Sequence, residues 1–272
     1  MWAAFLIALI PLAWILWTVL SRGIALLLEP TWWTNSQRGI TSRLTGGGAA
    51  HAIQGTLLMA LVTALMAVPI GVMTAIYLVE YGRGKLARAV SFMVDILTGI
   101  PSIVAALFIY AVWVTTFGLQ RVAFGVTLAL MLLMIPVVVR SSEEMLKIVP
   151  NELREAAYAL GVPKWRTITK VVIPTSIAGI ASGITLAIAR VIGETAPLLI
   201  VVGITTGVNL NPFDGRMATL PVFSYYSYVA PGVPREPFID RAWTAALVLI
   251  VLVMALNLLA RLVARAFAPK TR

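Results

Sequence analysis

Arg190 and Glu194 lie four residues apart inside Ser176–Gly203, a stretch that is otherwise almost wholly apolar. An unpaired ion at the middle of a bilayer costs on the order of 2.5–3.5 kcal/mol on insertion scales, so such side chains face a bundle interior and mark pathways. An i,i+4 spacing on a helix places the two on one face, where they can neutralise each other. An arginine there offers forked donors suited to an oxyanion. Pro197 removes the hydrogen bond that would reach the Gly193 carbonyl, which predicts a kink and a carbonyl free to line a cavity. A structural ion pair that fixes helix packing is the alternative, and the residues alone leave both open. An acid/base role for Glu194 in an intramembrane hydrolase or transferase is a further alternative, and no nucleophile–His arrangement near it supports that chemistry.

A second group lies in the polar segment 140–175. Glu152 to Leu160 contains no helix breaker and carries Ala156, Ala157 and Ala159, and Gly161 and Pro163 end it. Lys164–Val172 reads as a second helical piece, and Pro174 marks the turn into the next apolar stretch. Two short helices joined by a Gly-x-Pro corner make a compact knob that suits docking to a soluble partner. An ordinary amphipathic loop is the plainer reading, because alanine-rich helices with glycine ends are common.

Other chemistry is scarce. The chain has no cysteine and one histidine, His51, so thiolate and histidine-cluster metal sites are excluded. Gly82-Arg83-Gly84-Lys85 is too short for a phosphate-binding P-loop, so no nucleotide site is expected in this chain.

The elements that must position these residues follow from composition. Of 272 residues, 60% are hydrophobic and 12% charged, and the mean hydropathy is +0.94. That leaves too little polar surface to cover a soluble globule. A hydrocarbon core of roughly 30 Å needs about 20 apolar residues in a helix. Six stretches qualify: residues 2–20, 53–79, 89–116, 122–139, 176–203 and 242–260. They are continuously apolar rather than alternating, which excludes a β-barrel pattern. The expectation is an all-α membrane protein with six transmembrane helices and one domain, residues 1–272, since no repeat or long polar linker divides it.

The net charge of +10 could signal nucleic acid in a polar protein. Here the basic residues sort by side. Arg83, Lys85, Arg88, Arg140, Lys147, Arg154, Lys164, Arg166, Lys170, Arg261, Arg265, Lys270 and Arg272 fall on one side; Arg38, Arg43, Arg121, Arg216, Arg235 and Arg241 fall on the other. The positive-inside rule then makes both termini and the 140–175 loop cytoplasmic, with the basic surface meeting anionic lipid and no nucleic acid. The absence of a basic region before the first span argues against a cleaved signal peptide.

Three smaller features complete the reading. Ile204–Arg241, with Phe223, Tyr225, Tyr226 and Tyr228 and five prolines, reads as an external interfacial loop with an aromatic belt, or as a docking surface for an external protein. Gly46-Gly47-Gly48 reads as a flexible joint. Asp95 is expected to reach the interface or to pair with Arg88.

These residues carry a family resemblance. Glu155-Ala156-Ala157, Gly161 and Val171-Val172-Ile173-Pro174 are spaced as in the EAA loop of ABC-importer permeases, with Val171 and Ile173 as conservative departures. Arg190-Val-Ile-Gly-Glu-Thr-Ala-Pro197-Leu-Leu resembles the corresponding stretch of phosphate-importer permeases of the PstA type. Gly99-Ile100-Pro101-Ser102-Ile103-Val104 and Arg140-Ser-Ser-Glu143-Glu144 also fit, and the likeness spans about residues 53–265. It implies a type I ABC importer permease fold whose cytoplasmic coupling helix docks an ATPase through Glu155, Ala156, Ala157 and Gly161. It implies inorganic phosphate as cargo, with Arg190, Glu194 and Thr195 on the substrate pathway and Pro197 at a helix kink. It further implies a PstC-type permease as the other half, two ATPase subunits that bind ATP and Mg, an external phosphate-binding protein, and the cytoplasmic membrane as location. This chain would hold no cofactor or metal. Another oxyanion, or an amino acid, is the alternative cargo.

Overall fold

In the computed structural model, residues 2–40 and 46–267 are described, with side chains from Phe5 to Leu262 except Ala260. Arg43, Arg265, Lys270 and Arg272, which enter the charge distribution above, have side chains outside this set. All regular structure among the described residues is helical. The long helices are α1 (Trp2–Leu27), α3 (Ala50–Ile76), α6 (Ala123–Ile148), α9 (Ile173–Ile192) and α12 (Glu236–Phe267), and α2 (Pro30–Thr34) is a single turn between the first two. α3 runs on through a π-helical turn, Tyr77–Tyr81.

The expected third span, 89–116, is not one helix. α4 (Gly84–Gly99) and α5 (Ser102–Ile109, continued by a π-helical segment Tyr110–Thr116) meet at 106°. The cause is local: Pro101 disfavours the α conformation in the residue before it, and Ile100 is extended at φ −72°, ψ 125°. Among the described residues five helices are long and apolar enough to cross a membrane, and the count is six where the bent pair is taken as one broken span. The expected fifth span also divides: α9 stops at Ile192 and α10 (Ala196–Val201) follows after a three-residue break.

α6 is the centre of the bundle. Two thirds of its spanning window is buried, whereas α1 is almost uncovered and rests on α12. Val126, Leu130, Met134 and Val138 of α6 interdigitate with Met59 and Ala67 of α3 and with Ala187 and Val191 of α9. In lipid, helices associate by close packing rather than by exclusion of water, which favours small residues at contacts. Gly71 fits this rule: a Cβ there would come within 2.7 Å of Val138. Gly183 and Gly179 face Ser141 and Met145 of α6 in the same way, at 2.4 and 2.2 Å.

Segment 204–241, expected as an external loop, is more ordered than a loop. α11 (Leu220–Val229) starts with Pro221 in its first turn, where a missing N–H costs nothing. Phe223 is core rather than belt, packed with Trp32 and His51, while Tyr225 and Tyr228 stay exposed. Thr56 of α3 ties the segment down by accepting the Leu220 N–H at 2.8 Å. Gly48 is no flexible joint either: a Cβ would lie 2.3 Å from the Thr31 carbonyl, so the backbone needs the gap. His51 falls inside α3, whose first turn begins three residues before the apolar stretch.

Candidate functional site

The knob forms from two short helices, α7 (Asn151–Ala159) and α8 (Lys164–Thr167), the latter continued by a π-helical turn Ile168–Val172. Pro150 precedes α7 and Pro163 precedes α8, each with extended ψ. Gly161 closes α7 at φ +72°. Its N–H donates to the Tyr158 carbonyl at 2.9 Å, and the Val162 N–H donates to the Ala157 carbonyl at 3.1 Å. This pair of bonds is a Schellman cap, which needs a left-handed residue at the glycine position.

Glu155, Ala156 and Gly161 are exposed on the knob, and Ala157 is buried against the chain's own helices. Around them Ile148, Leu153, Leu160 and Trp165 are uncovered, Leu160 to 84%. An apolar patch of this kind on a polar knob marks a contact surface.

Arg154 anchors the knob. Its Nε and Nη2 donate to Glu80 Oε1 at 3.1 and 2.9 Å, while Nη2 and Nη1 also donate to the Leu146 and Val149 carbonyls at 2.9 and 2.6 Å. One guanidinium thus joins the end of α3, the last carbonyls of α6 and the knob helix. Lys164 supports it by donating to the Glu80 carbonyl and lying 4.8 Å from the Tyr81 ring.

Above the knob, Arg140 is a second hub. It pairs with Asp95 and with Glu143 at 2.6 Å, and donates to the Ser91 hydroxyl and carbonyl at 3.0 and 3.1 Å. Lys147 completes the network on Glu143 at 2.6 Å. Asp95 therefore pairs across to α6, not with Arg88 on its own helix. A lysine or arginine can reach many carboxylates, and the approach of α4 to α6 decides which.

At the far end of α9, Arg190 occupies the last turn, where the negative end of the helix dipole favours a cation. Glu194 lies in the break beyond α9, and Arg190 Nε is 4.0 Å from its Oε1. This is a loose ion pair formed across a helix end, not two neighbours on one continuous face. Half of the Arg190 side chain is uncovered while Glu194 is 15% exposed, so the cation is the more available partner. Thr195 sits beside them at the N-cap of α10. Pro197 opens α10 as one of its first residues and does not kink a continuing helix; the break is made at Gly193–Thr195. Interrupted helices are tolerated at membrane depth where they line a cavity or are covered by protein.

The chain thus carries an uncovered cation at a broken helix and an anchored knob at the opposite end of the bundle. A family model described as "Binding-protein-dependent transport system inner membrane component" matches residues 67–272. The chain belongs to this family. It is 53% identical over 260 residues to the phosphate transport system permease protein PstA 1 of Mycobacterium tuberculosis (strain CDC 1551 / Oshkosh), covering 96% of this chain and 84% of that one. It is 54% identical to the PstA permease of Mycobacterium leprae (strain TN), covering 94% and 83%. Among solved structures, an inward-facing form of the MetNI methionine ABC transporter shares the fold, with a TM-score of 0.64 at 22% identity over 81% of this chain and 95% of that one.

The permease is thus a multi-pass membrane transport component that works with a substrate-binding protein and an ATPase, and not an enzyme. Its helices have the ABC importer permease fold expected from the EAA loop. Glu80 and Arg154 are residues that sequence reasoning passed over, with Arg154 entering only as a topological charge. The available signal was weak: an acid and a base at the ends of elements 74 positions apart. Among the described residues, no three His, Asp or Glu side chains converge as a metal site.

Proposed function

We propose that the permease is the PstA-type half of an importer that carries inorganic phosphate across the cytoplasmic membrane. The uncovered Arg190 guanidinium at the end of α9 carries this reading. An arginine in a low-dielectric passage offers planar paired donors to a tetrahedral oxyanion, and Glu194 at 4.0 Å moderates its field. Moderation serves transport, because an ion held in a deep well does not leave. The high identity to phosphate permeases over nearly the whole chain supports phosphate as the cargo.

In this account a PstC-type permease supplies the other half of the passage, and two ATPase subunits bind ATP and Mg. An external phosphate-binding protein delivers the anion. The positive-inside distribution supports a cytoplasmic side for both termini and the knob. The ATPases dock on Glu155, Ala156, Gly161 and the apolar residues around them, with Ala157 seating the knob from beneath. Closure of the ATPases pushes the knob, and the Arg154–Glu80 link passes the displacement to α3 and α6. Access at Arg190 then switches from one side to the other.

The cargo is tested with the purified complex in proteoliposomes, supplied with its binding protein and ATP. Radiolabelled phosphate should accumulate, and sulfate in excess should leave the rate unchanged. Accumulation of sulfate in place of phosphate would replace the cargo and leave the coupling scheme standing.

A further inference from the structure

The end of the bundle opposite the knob holds a cavity of about 200 Å³, with Gln37, His51, Thr205, Ser227 and Arg241 among its walls. His51 opens α3 and Glu80 lies at the other end of the same element, so the cavity and the knob are separated by roughly 44 Å at about 1.5 Å per residue. Under the orientation proposed above, the cavity faces the outside.

Its charges are unbalanced. Arg241 is 7% exposed, and among the described residues it makes one hydrogen bond, from Nη2 to the Gly46 carbonyl at 3.0 Å, with the Phe238 ring 5.2 Å away. Among the described residues no carboxylate forms an ion pair with it. A buried cation without a counter-ion is strongly unfavourable, and an anion beside it removes that penalty. His51 is 2% exposed, and neither ring nitrogen has a hydrogen-bond partner among the described residues. It stands in the first turn of a 27-residue helix, whose positive end favours negative charge. Hydroxyl groups of Thr205 and Ser227 add donors.

We propose that this cavity is an outer oxyanion site, in which Arg241 and His51 hold a phosphate-type anion before it passes to Arg190. The order follows from position. A smaller cavity of about 10 Å³, lined by Thr56, Ala60, Val191 and Ile192 among others, sets the last turn of α9 level with residues one to three turns beyond His51 on α3. The anion therefore meets Arg241 first and Arg190 deeper in. The identity of the anion rests on the phosphate-importer reading; the unpaired cation does not.

The test uses the complete complex in nanodiscs. Because the chain has no cysteine, Ser227→Cys places a unique thiol on the cavity wall, and its reaction with a small thiol reagent is read from the mass of this subunit. Inorganic phosphate at about ten times its dissociation constant should slow the reaction about tenfold, and Arg241→Gln, which removes a charge-assisted contact worth about tenfold or more in affinity, should cut that protection to about twofold or less. Arg190→Gln should leave protection intact. No protection at phosphate concentrations that saturate transport overturns the site, even in a complex that transports phosphate normally. Protection by anionic lipid or by empty binding protein, with phosphate adding nothing, also overturns it and names a different occupant. Protection by sulfate in a complex that moves sulfate and not phosphate keeps the site and removes the phosphate reading. If Arg241→Gln fails to assemble, the Ser227→Cys measurement decides alone, and His51→Gln should weaken protection in the same direction.

Discussion

Arg154 on the knob helix and Glu80 at the end of α3 are joined by two hydrogen bonds of 3.1 and 2.9 Å. Both side chains are well covered, at 12% and 5% exposure. Removing one partner of a buried pair leaves the other charge uncompensated, at a cost of about 3–5 kcal/mol. Glu80→Ala should therefore lower the thermal unfolding temperature of the complex. It should also lower the phosphate moved per ATP hydrolysed while basal hydrolysis persists. An unchanged transport-to-hydrolysis ratio in a folded variant would remove the link from the coupling route.

Gly161 is required by backbone angle and not by space. Among the described residues no atom lies within 4 Å of where its Cβ would be, yet its φ is +72°. Gly161→Ala should cost about 1–2 kcal/mol locally and disturb the cap, and Gly161→Asn should cost less because asparagine tolerates the left-handed region. Membrane insertion should be normal in both. Coupled uptake should rank Gly above Asn above Ala, and equal uptake for all three would show that the cap geometry is dispensable.

Gly55 presents the opposite case. A Cβ there would sit 1.9 Å from the Ala218 carbonyl, while at Gly99 a Cβ meets nothing within 4 Å. Gly55→Ala must displace either α3 or the segment before α11, at about 1–3 kcal/mol for overpacking. Gly99→Ala should be close to neutral by contact alone. Thermal unfolding of the two variants side by side checks the difference.

Much of this was legible before the structure. Five long helices follow from apolar runs near 20 residues, because the bilayer admits few other solutions. The EAA spacing located the knob, and its Gly161 cap was readable from residue type. The break at Ile100 was missed in the 89–116 span: Pro101 was the available signal, but an apolar run conceals a bend because hydropathy carries no direction. The Arg190–Glu194 pair was found by composition, and its geometry was not: Gly193 ends the helix, so the pair closes across a break. Partners such as Arg140 with Asp95, or Arg154 with Glu80, depend on which helices meet, and a long cationic side chain does not disclose that. Phe223 looked interfacial by type and proved to be core, since α11 folds back onto α3.

Phosphate is proposed to pass Arg190, and Arg190→Gln removes the charge at that point of the path. Uptake of radiolabelled phosphate would be measured in proteoliposomes with the assembled complex, its binding protein and ATP, beside wild type and Arg190→Lys. Arg190→Gln should assemble and still support ATP hydrolysis but transport at a small fraction of the wild-type rate. Arg190→Lys should fall between the two, since it keeps the charge and loses the fork. Wild-type uptake by Arg190→Gln would remove Arg190 from the phosphate path.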